Sequence, residues 1–374
     1  MRNVFREDHE QFRDQVRRFV EREIAPHHAQ WERDGVVPRS VWRKAGENGL
    51  LCVAVPTEYG GGGGDFGHSA VVIEELARAG ATAPGFTTHS EIVAHYILSY
   101  GSEAQRQKWL PAMASGELIA VIAMTEPGAG SDLRSIKTTA RRDGDDYVVN
   151  GAKTFITNGF NADLAVTVVK TDPERRDLTL ICVEADRAGF SKGRRLEKIG
   201  LKGQDTAELF YADVRAPAEN RLGEENQGFA YLTNQLAWER LIIALRAAAS
   251  IETLLEQTIA YTRARVAFSK PLFEMQNTRF KLADAKARAT MLRVFIDHCL
   301  GEVIAGSLSA EEAAMAKLLA SEMQGALLDE FLQLHGGYGF MSEYDVGRAW
   351  VDARVARIYG GTSEIMREII ARSL

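Results

Sequence analysis

The chain has 374 residues, 45% of them hydrophobic and 26% charged, which allows a sizeable core divided over two or three domains. Its 45 basic and 51 acidic side chains leave a net charge of −6, which speaks against a nucleic-acid partner, since that needs a clustered basic surface. Cys52, Cys182 and Cys299 lie far apart with no CxxC pair, so neither a disulfide framework nor a structural zinc site is expected, and the expected setting is cytoplasmic.

No apolar run approaches the roughly 20 residues that span a bilayer, so no transmembrane segment is expected. The acid-rich amphipathic start resembles neither a secretory signal nor a transit peptide. Phe12, Val16, Phe19, Val20 and Ile24 recur at helical spacing and predict a helix from Val4 to Ile24. Further helical patterns cover 41–51, 69–79, 90–100 and 103–114, punctuated by Pro26, Pro38, Pro56 and Pro84. Residues 1–118 therefore read as a helical domain. Within it, Gly62 to Gly67 satisfies GxGxxG, but no strand precedes it and no Lys-Ser or Lys-Thr follows, so a connecting loop is expected. His27, His28, His89 and His95 lack acids at metal-site spacing, and no metal is expected. There is no GxSxG of an acyl hydrolase.

Residues 119–226 change character. Short β-branched runs at 147–149, 155–157, 165–169 and 178–183 alternate with Asp143-Gly144, Asn150-Gly151 and Asn158-Gly159, which supply the positive φ of tight hairpins. This is a middle antiparallel β domain. From 227 to 374 the helical period returns, with helices expected over 228–266, 273–305 and 310–334. The third opens on a capping box, Ser309 with Glu312, and stops at Gly336-Gly337. Long helices with short connections form bundles. The fold class is α+β.

Three features can carry chemistry. Thr125 to Asp132 is a small-residue, hydroxyl-bearing segment after a strand, which reads as a turn or as a cofactor loop. Glu239 shares one helix face with Leu232, Leu236 and Ile243, with no basic residue four positions away. Such a carboxylate either meets a distant cation or has a raised pKa and becomes a usable base. Gln333 to Gly337 closes a helix, and Gly360 to Ser363 opens the last one, with Thr362 or Ser363 as N-cap.

Together these segments resemble the acyl-CoA dehydrogenase family over essentially the whole chain. The resemblance rests on Met124 to Asp132, Phe155 to Gly159, Arg265 to Lys270, Gln333 to Gly337 and Ile358 to Ile365. Gly203 to Phe210 and Val351 to Arg354 are most similar to the long-chain branch. The resemblance implies a C-terminal four-helix bundle, a homotetramer and FAD as cofactor. It implies flavin contacts from Ile122, Ala123, Met124, Thr125, Gly130, Ser131, Phe155, Ile156 and Thr157. Arg265, Phe268, Gln276, Gln333, Leu334, His335, Gly336 and Gly337 would hold the rest of FAD, partly across a subunit interface, and Gly361, Thr362 and Ser363 would complete the site. Ser131, Arg240, Gly360 and Gly361 would meet acyl-CoA.

Many members of that family carry a catalytic glutamate where this chain has Gly360. The long-chain and isovaleryl branches place it in a bundle-helix Glu-Arg pair, which Glu239-Arg240 matches. The implied reaction is α,β-dehydrogenation of a medium- or long-chain acyl-CoA in fatty acid β-oxidation. Glu239 is the base, flavin N5 the hydride acceptor, and the Gly360 amide with a ribityl hydroxyl the enolate donors. Electrons pass to an electron-transfer flavoprotein. The alternatives are an isovaleryl-type substrate, an acyl-CoA oxidase reoxidised by O2, and an inactive partner subunit. The chain's end soon after the Ile358 motif favours the dehydrogenase over the oxidase.

Overall fold

The computed structural model describes residues 2–172 and 176–374; Met1 and residues 173–175, within the first two expected domains, lie outside the described residues. The N-terminal region folds into α1 (Glu7–Phe19), α2 (His28–Asp34), α3 (Arg39–Glu47), α4 (Phe66–Arg78), α5 (Ala94–Tyr100) and α6 (Glu103–Ala114). The helix expected over 4–24 leaves the α form at Phe19 and continues as a π-helical turn, Val20–Ile24. The stretch 90–100 begins inside a second π-helical turn, Thr88–Val93, a geometry that often marks functional sites. Periodicity alone does not separate these windings from α. The glycine-rich segment is a loop whose amides are already used: Gly62, Gly63 and Gly64 donate to the carbonyls of Cys52, Val55 and Val53.

The middle region forms β1 (Ala120–Ala123), β2 (Thr139–Asp143), β3 (Asp146–Thr157), β4 (Leu164–Val169), β5 (Thr179–Glu184), β6 (Phe190–Arg195), β7 (Thr206–Pro217) and β8 (Arg221–Leu222). They make two four-stranded sheets, ordered β1-β4-β5-β8 and β2-β3-β7-β6. Two details depart from the sequence reading. β1 pairs with β4 in parallel, whereas the other pairs are antiparallel. Asn150-Gly151 is not a hairpin turn; it lies inside β3 at a register shift between Val149 and Gly151, so the runs at 147 and 155 belong to one strand. Val121, Ala165, Ile181 and Val183 pack against Tyr147, Val149, Leu209 and Val214 between the sheets. The alternate residues Ala120, Val166, Leu180 and Cys182 face Tyr96, Ile97, Trp109 and Met113 of the N-terminal helices. β4 is therefore buried on both faces, which explains its unbroken apolar run.

The C-terminal helices are α7 (Gly228–Ala264), α8 (Gln276–Ala305), α9 (Ala310–His335), α10 (Asp345–Ala353) and α11 (Ser363–Ala371). α9 opens on the expected Ser309–Glu312 capping box. At 37 residues α7 is about 55 Å long and packs against α4, α8, α9 and β5. Its start packs Leu232 with the β-sheet core, while Leu245 and Ile251 join Val16, Phe19, Leu76, Leu292 and Leu328 in the core shared by first helices and bundle. This span brings the middle of α7 between α4, the end of β3 and the turn before α11.

Candidate active site

The middle of α7 forms one wall of a cleft. Ile73, Leu76 and Ala77 of α4 face it, with Thr88 and Ile92 from the π-helical turn. Thr157, the last residue of β3, closes one side, and Tyr359-Gly360 closes another. Of the residues predicted from sequence, the cleft brings together Glu239, Thr157 and Gly360. Ser131, Arg240 and Gly361 are not on its lining.

Glu239 is 7% exposed. Its one hydrogen bond among the described residues comes from the Tyr96 hydroxyl, which donates to Oε1 over 3.1 Å. No cation pairs with it among the described residues, so the ion-pair alternative is not what the fold provides. Burial pushes the carboxyl up to about 7, against the opposing pull of the Tyr96 hydrogen bond and the Arg240 charge. Arg240 is also buried, and its Nε has no partner among the described residues. Burial lowers the Arg240 pKa despite Glu239. Lys317, fully buried on α9, donates to the Gly361 carbonyl over 2.6 Å and holds the turn beside the cleft. Burial and the Arg240 charge bring its pKa down to about 8.

The 360–361 turn favours glycine. Gly360 has φ +64° and Gly361 +91°, and a Cβ on Gly360 would meet Ile243 Cδ1 at 2.5 Å. Among the described residues the Gly360 amide has no hydrogen-bond partner. Thr362 rather than Ser363 caps α11, accepting from the Ile365 amide. Ser363 is buried, and its hydroxyl donates to Glu322.

Across the cleft, the loop after β1 is tied to β3. The Thr154 amide donates to the Thr125 carbonyl, and the buried Lys153 ammonium donates to Met124 O and to Glu126. Glu126 also accepts from the Lys137 and Thr138 amides, so it fixes both ends of that loop. Ala123 and Ile156 are buried, Ile122, Met124 and Thr125 half-buried, and Gly130 and Ser131 exposed. Phe155 is 68% exposed at φ +59°, a costly conformation for an aromatic residue with little cover among the described residues.

A second groove gathers Arg265, Gln333, Leu334, His335, Gly336 and Gly337. It shares no lining residue with the cleft. Tyr261 stacks on His335 and donates to its carbonyl. Phe268, 90% exposed at φ +52°, and the exposed Gln276 stay off its lining. Asp8, His9 and His68 also converge, a grouping that sequence spacing does not reveal. There the Arg6 guanidinium already supplies a cation, bridging Asp8 and Asp65.

Family models for the acyl-CoA dehydrogenase N-terminal, middle and C-terminal domains match residues 6–117, 121–214 and 226–374. The chain belongs to the acyl-CoA dehydrogenase family. It is 48% identical to the long-chain specific acyl-CoA dehydrogenase, mitochondrial, of Sus scrofa, over 100% of this chain and 88% of that one. An acyl-CoA dehydrogenase from Geobacillus kaustophilus superposes with a TM-score of 0.98 at 48% identity, covering 100% and 99% of the two chains. A glutaryl-CoA dehydrogenase from Mycobacterium smegmatis in complex with FADH2 matches at 0.92 and 29% identity, covering 99% and 95%. This enzyme is accordingly an FAD-dependent oxidoreductase. The residues fit that cofactor: Phe155 and Phe268 offer uncovered aromatic faces, and Arg265 offers a guanidinium beside a glycine-lined groove. Among the described residues, no helix is long and apolar enough to cross a membrane.

Tyr96, Lys153, Lys317 and Arg246 escaped the sequence reading. Arg246 alone carried a signal, being seven residues from Glu239 and so on its helix face. The others become visible only through contacts between distant segments.

Proposed function

We propose that the enzyme removes a proton and a hydride from adjacent carbons of a medium- or long-chain acyl-CoA thioester, giving the trans-2-enoyl-CoA. Electrons then leave to an electron-transfer flavoprotein. The observation that carries this reading is Glu239: a buried carboxyl with a pKa of about 7, facing a cleft closed by Thr157 and Gly360. Bound FAD would supply the hydride acceptor for the β carbon. Glu239 takes the α proton, and its poise near neutrality matches that task. The unpartnered Gly360 amide is available to the thioester oxygen as negative charge develops there, and Lys317 holds the turn that presents it. Apolar residues around Glu239 exclude water from the reacting carbons.

In the same reading Ile122 to Thr125, Gly130, Ser131 and Phe155 to Thr157 line the flavin. Arg265, Phe268, Gln276 and Gln333 to Gly337 serve its phosphate and adenine portion in a homotetramer. Gly361, Thr362 and Ser363 complete that site, and Ser131 and Arg240 meet the CoA thioester. The separation of groove and cleft supports a cofactor shared between subunits. Domains of 1–118, 119–226 and 227–374 divide the work. Gly360 raised the alternative of an inactive subunit; the carboxyl of Glu239 in the cleft speaks for activity.

Anaerobic bleaching of the bound flavin by acyl-CoAs of graded length tests the reading directly. Bleaching that reverses quickly in air with no acceptor protein would instead make the enzyme an oxidase. No bleaching by any acyl-CoA would remove the dehydrogenase reading.

A further inference from the structure

A second cavity adjoins the cleft, and both are lined by Ala77, Thr82, Ile243, Arg246 and Tyr359. Glu239, Ile243 and Arg246 stand at i, i+4 and i+7 on α7, so they share a face, and Arg246 lies about 10 Å along the axis from the carboxylate. Around Glu239 the lining includes Ile73, Leu76, Ile92 and Ile242 beside Thr87 and Thr88; beyond Arg246, Ser250, Thr253, Gln257 and Gln324 stand among Ala247, Leu254 and Ala353.

Among the described residues, Arg246 is the charged group of this lining that lacks a partner. Arg78 pairs with Glu252 at 3.0 Å and Arg348 with Asp345 at 2.7 Å. Asp352 accepts from the Thr82 hydroxyl and the Leu201 amide, and Glu239 accepts from Tyr96. Arg246, half-buried, has no ion pair or hydrogen bond among the described residues. A plain alkyl chain that reached it would strip water from a guanidinium and return no hydrogen bond, which is costly. A carboxylate there would form a charge-assisted pair, for which the planar guanidinium is well suited.

We propose that Arg246 is a specificity-determining residue for the distal end of the acyl group. The adjoining cavities then take medium-length acyl-CoA thioesters whose far end carries a carboxylate, the monothioesters of dicarboxylic acids. This inference rests on the acyl-CoA reading of the cleft. The reacting carbons stay beside Glu239, the apolar stretch holds the methylenes, and the terminal carboxylate meets Arg246.

The test compares sebacyl-CoA with decanoyl-CoA, equal in length and different only at the far end. Anaerobic flavin bleaching of the holoenzyme, Arg246→Leu and Arg246→Lys gives the second-order rate constant of flavin reduction for each. The native enzyme should prefer sebacyl-CoA. Arg246→Leu should shift the sebacyl-to-decanoyl ratio about 10- to 100-fold toward decanoyl-CoA, the range of a hydrogen bond to a charged group. Arg246→Lys should keep most of the native preference. Equilibrium binding of the two thioesters to Glu239→Gln should show the same preference without turnover. Equal losses on both thioesters in Arg246→Leu would place the guanidinium on the CoA phosphates and overturn the proposal. So would bleaching by decanoyl-CoA but not sebacyl-CoA in the native enzyme, an outcome that leaves the dehydrogenase reading standing. If neither thioester nor any other acyl-CoA bleaches the flavin, both fall.

Discussion

Two buried glutamates in this molecule have opposite fates. Glu74 on α4 is fully buried among Arg2 at 2.8 Å, Arg293 at 2.8 Å and Arg13 at 3.2 Å. Burial alone would raise its pKa, but the charges of Arg293 and Arg2 overcome that and hold the carboxyl below its usual range. Glu239 is buried to a similar degree with one hydroxyl for company, and its pKa rises to about 7. The first arrangement joins the N-terminus, α4 and α8 and leaves no carboxylate free to react. The second leaves a base undercompensated at a cleft. The number of partners, rather than depth, separates structural from chemical carboxylates here.

Substitutions can break or sharpen this contrast. Glu239→Gln should lower turnover by about 10²–10⁴-fold with FAD still bound, read from anaerobic flavin bleaching and the flavin spectrum. Turnover that survives would end the assignment of the base. Glu74→Gln should do the reverse. It leaves buried arginines undercompensated and should cost about 3–5 kcal/mol in denaturant unfolding, with the folded fraction keeping its specific activity. Loss of activity without loss of stability would erase the distinction between the two sites.

The pH dependence of stability separates them further. Glu239 has a native pKa near 7, above the ordinary 4.5, so its favourable contribution is complete below 4.5 and is lost as pH rises to 7. Thermal or denaturant unfolding of Glu239→Gln should therefore gain on the native protein across that window, by about 3 kcal/mol in all, and run parallel above it. Glu74 has the opposite sign: its contribution is present above the ordinary carboxylate pKa and fades as pH falls. Native kcat/KM should climb with pH through about 7 as Glu239 ionises. The smallest change is expected from Tyr96→Phe, which removes the donor that favours the ionised form. The acidic limb of kcat/KM should move about one to two units higher, and an unmoved limb would dissociate Tyr96 from the base.

The sequence anticipated this fold unevenly. Helix period and capping made α7, α8 and α9 legible to within a few residues, because each carries many apolar turns and, in α9, the Ser309–Glu312 box. The parallel β1–β4 pair and the bulge at Asn150-Gly151 were not legible. An Asn-Gly dipeptide provides positive φ equally well in a turn or a bulge, and only strand partners decide between them. The site divides the same way. Glu239 stood out as an unpaired carboxylate on an apolar face, whereas Tyr96, 143 positions away, offered no local signal.

What the sequence determined by itself was the family, the order of helical and β regions, and the residue expected to act as base. Those depend on local pattern and on motifs within short windows. Tertiary structure decided the state of that base, the free amide of Gly360, the support from Lys317 and the unpaired Arg246 of the cleft lining. Each depends on which distant groups share a small volume with little water. Burial and charge pairing are properties of that volume, and no linear pattern records them.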